Sequence, residues 1–225
     1  MKNNNQTNTA IGDASTNFMA AFLTMVFLFF VVGFLTTVNT QFQAPLKETF
    51  LQDMGAFQNT FATLITFSWF LAYPVCGGLG SRWINKFGYS STLVRGLAVM
   101  CMGLVLFLVS ALGASFFPDS AIRVGELSLP VAFLVFLLGS FVTGGSVTVL
   151  QVVLNPYLAV CNVPGTQSVQ RLAIGGSANS IGTTIAPYFV SGLVFGGVAA
   201  SDISTDILIL PLAALAVIIS IMAIG

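Results

Sequence analysis

Gln151 and Asn155 stand one helical turn apart in the stretch QVVLNPY, and Pro156 follows directly. An amide placed in hydrocarbon needs partners for its donors and acceptors, and a proline removes a backbone hydrogen bond. Such residues near the end of a long apolar run call for a reason. Two further polar stripes repeat at three- and four-residue steps: Thr36, Asn39, Thr40 and Gln43, and Asn179, Ser180 and Thr183. Thr148 extends the Gln151 stripe one turn back. This spacing puts each set on one helix face. Taken singly, a stripe reads as helix glue, since such bonds between membrane helices average about 0.6 kcal/mol. The first stripe has a second plain reading, in which the helix ends at Val38 and NTQFQ is an outer loop. Taken together, stripes on different helices predict a hydrated cavity lined by amides and hydroxyls. Its chemistry is uncharged hydrogen bonding, and the solute that fits is a neutral polyhydroxyl compound.

The same inventory argues against other chemistries. The chain has no histidine, and its 7 basic and 7 acidic residues give zero net charge. That argues against nucleic-acid binding and against a histidine-ligated metal site. Cys76, Cys101 and Cys161 are scattered, without a paired spacing, and read as small packing residues. A hydrolase working inside the membrane needs a nucleophile with a base, or metal ligands, and the apolar runs offer neither. An ion pathway uses carboxylates or an arginine row inside the spans, and a channel uses charged rings. The sequence therefore predicts no catalytic residue, no metal and no cofactor.

Elements that cross a bilayer must hold these stripes. Of 225 residues, 56% are hydrophobic and 6% charged, with a mean hydropathy of +0.96. A soluble domain carries about 25% charged residues, so this is the composition of an integral membrane protein. Runs able to cross about 30 Å of hydrocarbon fall at roughly Phe18–Val38, Phe57–Gly80, Ser91–Phe116, Leu129–Val160, Leu172–Val198 and Ile207–Gly225. They predict six helices, and their lack of alternation excludes a transmembrane barrel. Residues 1–17 are polar and predict a disordered cytoplasmic tail ahead of a six-helix bundle over 18–225. With the N-terminus inside, the cytoplasmic side collects Lys2, Arg82, Lys86, Arg95 and Arg171. Lys47 and Arg123 then fall outside with most of the acids. Basic residues favour the inside, so both termini are expected to be cytoplasmic. Arg95 and Arg171 lie about a turn or less inside their helices and are expected to snorkel to the interface. Asn155-Pro156 predicts a kink in the fourth helix, and glycines such as Gly139, Gly144, Gly175 and Gly182 predict close helix packing.

Four segments resemble one known family, the fucose/galactose/glucose symporters of the major facilitator superfamily. VNTQFQAPLK resembles the end of that family's first helix, where an Asn-Asp or Asn-Asn pair precedes a polar segment ending in lysine. SRWINKFGY is similar to its loop after helix two, QVVLNPY to its fourth-helix element, and RLAIGGSANSIGTTIAP to its fifth-helix signature. The resemblance covers Phe18 to about Val198. It implies an all-α membrane protein whose six transmembrane helices form one half-bundle, a 3+3 repeat, of a twelve-helix fold. It implies a sugar permease of the bacterial cytoplasmic (plasma) membrane, moving a neutral monosaccharide such as fucose, galactose or glucose. Alternating access then requires a second six-helix half as partner.

On the stripes and the resemblance together, the substrate-binding candidates are Asn39, Thr40, Gln151, Asn155 and Asn179. The three asparagines match the family pattern. Thr40 stands where proton-coupled members carry aspartate, Gln151 where they carry glutamate, and Gly176 where a glutamine contacts sugar. Asn85 stands where the superfamily often has an aspartate. The expectation is a sugar-transporter scaffold whose coupling group, if any, lies in the other half. The alternatives are a non-transporting six-helix membrane interaction protein that packs its polar face on a partner, and an inactive truncated transporter.

Overall fold

The computed structural model describes residues 4–41, 43, 47, 50–124, 127–194, 213 and 217. Among the described residues, three helical stretches are long and apolar enough to cross a membrane: Met19–Gln41, Met54–Phe116 and Val131–Val160. In hydrocarbon every backbone polar group must be satisfied within the segment, and runs rich in Leu, Phe, Ala and Met do this as helices. The first apolar stretch belongs to α1, Asn4–Gln41. Helical backbone thus extends to Gln41, and the outer-loop reading of Asn39 and Thr40 is set aside. The helix as described begins at Asn4.

The second stretch is helical over Gln58–Phe116, and its 59 residues are interrupted at Gly88, with φ 79° and ψ 172°. That backbone conformation is close to glycine-only, and it separates α2 (58–87) from α3 (89–116). Each is about 30 residues, or about 45 Å of helix, enough for one crossing. The segment SRWINKFGY, expected as a loop, is therefore wound into the end of α2 and turns at one residue. Strands β1, Ala121–Val124, and β2, Leu127–Pro130, pair antiparallel with Ala121 opposite Pro130. This hairpin was not anticipated from the sequence; it carries the chain from α3 into α4, Val131–Val160. α4 runs unbroken through Pro156 where a kink was expected. Pro156 has no N–H to give the Val152 carbonyl, so the ladder loses one bond there while the helix continues to Val160. α5 spans Ser168–Phe189 and ends in a π-helical turn, Val190–Val194. The expected sixth helix, 207–225, lies outside the described residues, apart from the helical backbone at 213 and 217.

Pairwise contacts set the helix directions. α4 meets α3 in reverse order: the Ser110 hydroxyl donates to the Ala132 carbonyl (2.6 Å), Gly139 faces Phe107, and Ser146 donates to the Gly96 carbonyl (2.7 Å). Against α2 the order is parallel, with Ser140 at Ile65, Gly144 at the Trp69 backbone and Val149 at Gly80. α1 and α5 also run parallel, with Phe29 at Gly175, Gly33 at Asn179 and Phe34 at Gly182 and Phe189. α1 opposes α4, where Asn39 meets Ser140, and α2, where the Thr66 hydroxyl donates to Gln43 Oε1 at 3.1 Å. Each described helix therefore runs opposite to the one before it, as a chain that crosses a bilayer on every helix must.

The packing divides into two groups. α4 lies against α2 and α3, α1 lies against α5, and the groups share a thinner seam. Trp69, Phe133, Phe136, Met100 and Leu150 fill the first group, while Phe27, Phe67, Phe70, Val105 and Leu138 stand exposed. Large exposed side chains on membrane-capable helices are the surface that lipid covers.

Candidate functional site

The polar residues of the seam start from α1. Asn39 is 1% exposed, and its Oδ1 accepts a hydrogen bond from the Ser140 hydroxyl of α4 at 3.0 Å. The same hydroxyl lies 3.0 Å from the Ile65 carbonyl of α2, so one residue ties together α1, α2 and α4. Asn39 Nδ2 is buried without a hydrogen-bond partner. One turn beyond Ile65, Trp69 is 0% exposed and its Nε1 is likewise buried without a partner in hydrogen-bonding geometry. A buried donor left unpaired costs about 1–3 kcal/mol. Two of them at one seam mark a place where an acceptor would be stabilised.

Tyr73 follows Trp69 by another turn and is half-buried. Three side chains approach its hydroxyl: Trp69 of α2, Gln151 of α4 and Thr36 of α1. The first and second stripes thus meet, and the residue that joins them is one that reading the sequence missed. Its only sequence signals are the four-residue step from Trp69 and the following Pro74 within α2. Aromatic residues are too common in membrane helices for those to stand out.

The remaining candidates are placed differently. Thr40 is half-buried and its hydroxyl donates to its own helix, at the Thr37 carbonyl (2.8 Å). Asn155 is exposed, one turn past Gln151. Asn179 is half-buried and packed so closely on Gly33 that a Cβ there would collide with it. Gly33 and Thr36 are neighbours on one face of α1. Asn179 therefore packs on the face of α1 that carries Thr36. Gly176, one turn before Ser180, faces open space. Other stripe hydroxyls close locally, Thr36 on the Val32 carbonyl, Thr148 on Gly144 and Thr183 on Ser180. Two cavities, of about 140 Å³ beside Phe50 and Pro130 and about 130 Å³ between Cys76 and Met102, are lined by none of these residues.

One expectation is overturned. Arg171 does not snorkel: it is 7% exposed, and its guanidinium donates to the carbonyls of Leu158 (2.8 Å), Ala159 (2.8 Å) and Thr166 (2.9 Å). α5 begins at Ser168, earlier than predicted, so Arg171 sits in its first turn beside the C-terminal end of α4. The last carbonyls of α4 have no partner within their own helix, and a cation with several donors satisfies them.

The chain is similar over 190 residues to glucose/galactose transporters of Brucella abortus, from biovar 1 (strain 9-941) and from strain 2308. Each is 31% identical, over 84% of this chain and 40% of the relative. A Helicobacter pylori (strain J99) protein provisionally given the same name is 30% identical over 78% of this chain and 37% of its own length. The chain thus spans about two fifths of the length of the curated relatives it matches. No family model matches it, and no solved structure does. The resemblance to sugar transporters that the four motifs carry is borne out over most of the chain.

Proposed function

We propose that this chain is one half-bundle of a major facilitator sugar permease, moving a neutral hexose such as glucose or galactose across the plasma membrane. The observation that carries the reading is the likeness to proteins named glucose/galactose transporter over 84% of the chain. The seam supports it: an uncharged cluster of Thr36, Tyr73 and Gln151 links three helices, with two unpaired buried donors close by. In this reading Gln151 and Asn179 face the solute from one wall, Asn39 is held beneath Ser140 with its amide N–H free to turn to the solute, and Thr40 and Asn155 lie at the edges. A second six-helix half supplies the other wall. The two halves rock about the solute, so that each wall is hydrated from one side of the membrane at a time. Both termini of the chain are cytoplasmic, following the basic residues.

The test is uptake of tritiated D-glucose and D-galactose by proteoliposomes holding the protein together with any downstream coding sequence. Saturable uptake, with counterflow of preloaded sugar, is expected. Vesicles that take up neither sugar, from protein that is folded by thermal unfolding in detergent, would remove the permease reading.

A further inference from the structure

We propose that the crevice between α2 and α3 holds an acyl chain of an anionic phospholipid, whose phosphate is bound by Arg95. The crevice is a cavity of about 130 Å³. Cys76, Leu79 and Trp83 of α2, Val99 and Met102 of α3, and Gly145 of α4 are in its lining. Leu79 and Met102 are exposed, so it opens on the surface that lipid covers. An apolar cavity of about 150 Å³ stays dry and takes a benzene-sized group, so this one has room for a few methylenes. Helical steps carry the lining toward the bend at Gly88, from Trp83 to Phe87 on α2 and from Val99 to Arg95 on α3. There the Arg95 guanidinium lies 3.2 Å from the centre of the Phe87 ring, with Lys86 Nζ 5.1 Å from the same ring. Stacking occupies one face of the guanidinium and leaves its N–H edge to fork onto an oxyanion. Arg95 Nη1 is buried and has no hydrogen-bond partner among the described residues. The sequence around it offers no counterion: between Gly55 and Ser201 the acids are Asp119 and Glu126, both beyond the opposite end of α3. Arg82, Lys86 and Arg95 therefore gather at one end of the α2–α3 pair without a carboxylate. The cationic end needs an oxyanion and the crevice beside it needs hydrocarbon. A phospholipid of net negative charge brings both in one molecule.

Trp83 reports the occupant, because bromine on an acyl chain quenches the fluorescence of a tryptophan it touches. The protein, with any downstream coding sequence, is reconstituted in phosphatidylcholine vesicles. These contain a small fraction of either brominated phosphatidylglycerol or brominated phosphatidylcholine. The Trp83 signal is the difference between each protein and the same protein carrying Trp83→Phe. Phosphatidylglycerol is expected to quench at a roughly fivefold lower fraction than phosphatidylcholine, as attraction by one cation near the surface gives. Arg95→Gln should bring the two lipids level while leaving quenching by phosphatidylcholine as in the parent. Arg82→Gln removes an exposed charge at the same end and should keep most of the preference. Val99→Phe fills the crevice and should reduce quenching by both lipids. Should Arg95→Gln not fold, Arg95→Lys carries the test: it keeps the charge but loses the flat fork, and most of the preference should go. Equal losses in Arg82→Gln and Arg95→Gln would reduce the site to diffuse surface charge and overturn it. A parent without preference would overturn it too, leaving Arg95 to a carboxylate outside the described residues. If soluble glycerol phosphate abolishes the preference, the site takes free phosphate and the lipid is wrong. The assay uses no sugar, so the permease reading stands or falls separately.

Discussion

At position 151 an amide offers what a sugar hydroxyl needs and nothing that titrates. In the proposed permease, Gln151→Leu is expected to abolish hexose binding, because it leaves solute and seam groups unpaired at about 1–3 kcal/mol each. Gln151→Glu makes a sharper prediction. A carboxyl desolvated in a closed site has its pKa raised, and in the protonated form it offers a donor and an acceptor much as the amide does. Uptake by the Glu variant should therefore match the parent at pH below that raised pKa and depart from it as pH rises through it, while the parent profile stays flat. Equilibrium binding and uptake between pH 5 and 9 check both variants. Parent-like binding by Gln151→Leu would make the amide helix glue. The polar periodicity pointed to Gln151 and Asn39 because hydrophilic groups in apolar runs are conspicuous. It did not point to Tyr73, whose hydroxyl matters only through side chains 37 and 78 positions away in sequence. Nor did it separate Asn155, which is exposed, from Asn39, which is sealed under Ser140.

Between helices, fit is set by where backbone touches backbone. A Cβ at Gly182 would run into the Phe30 carbonyl of α1 and lie 2.9 Å from the Phe34 nitrogen, whereas at Gly176 it would meet nothing within 4 Å. Gly182→Val is therefore expected to destabilise the α1–α5 pair by about 1–3 kcal/mol, as overpacking does. Gly176→Ala should leave stability unchanged, and thermal unfolding in detergent separates the two. The apolar runs announced α1 to α4 well, since a membrane-crossing helix is almost fully specified by its length and its lack of charge. The junctions were less legible. A single glycine at position 88 replaced an expected loop, and AIRV and LSLP formed a hairpin too short to show a pattern of its own.

For the molecule as a whole, alternating helix directions fit either orientation in the membrane, and the distribution of basic residues predicts the one with the N-terminus inside. Single cysteines introduced at Asp53 and Asp202, in a background lacking Cys76, Cys101 and Cys161, should react with membrane-impermeant maleimide added to whole cells. One at Lys86, near the turn at Gly88, should react only after permeabilisation. The reverse pattern would invert the orientation while leaving the fold intact. Asp202 lies outside the described residues and Lys86 lies at the end of α2; the side of each follows from charge counting.

The bond from Arg171 to the end of α4 has a consequence for biogenesis. α5, at Ser168–Phe189, is not among the three described helices apolar enough to cross a membrane by composition. On leaving the translocon alone it would carry a bare guanidinium, Asn179 and its row of hydroxyls into lipid; a charge at a helix centre costs about 2.5–3.5 kcal/mol on insertion scales, and less near an end. The partner that neutralises this cost is the stretch made just before it, the α4 carbonyls of Leu158 and Ala159. The two helices are thus expected to enter the bilayer as a hairpin, with α4 retained near the lateral gate until α5 arrives. In a glycosylation-mapping host, segment 168–189 alone should be translocated, while 131–189 should be held in the membrane. Arg171→Leu should raise the retention of the lone segment. Equal retention of the lone segment and the pair would mean that α5 needs no escort into lipid.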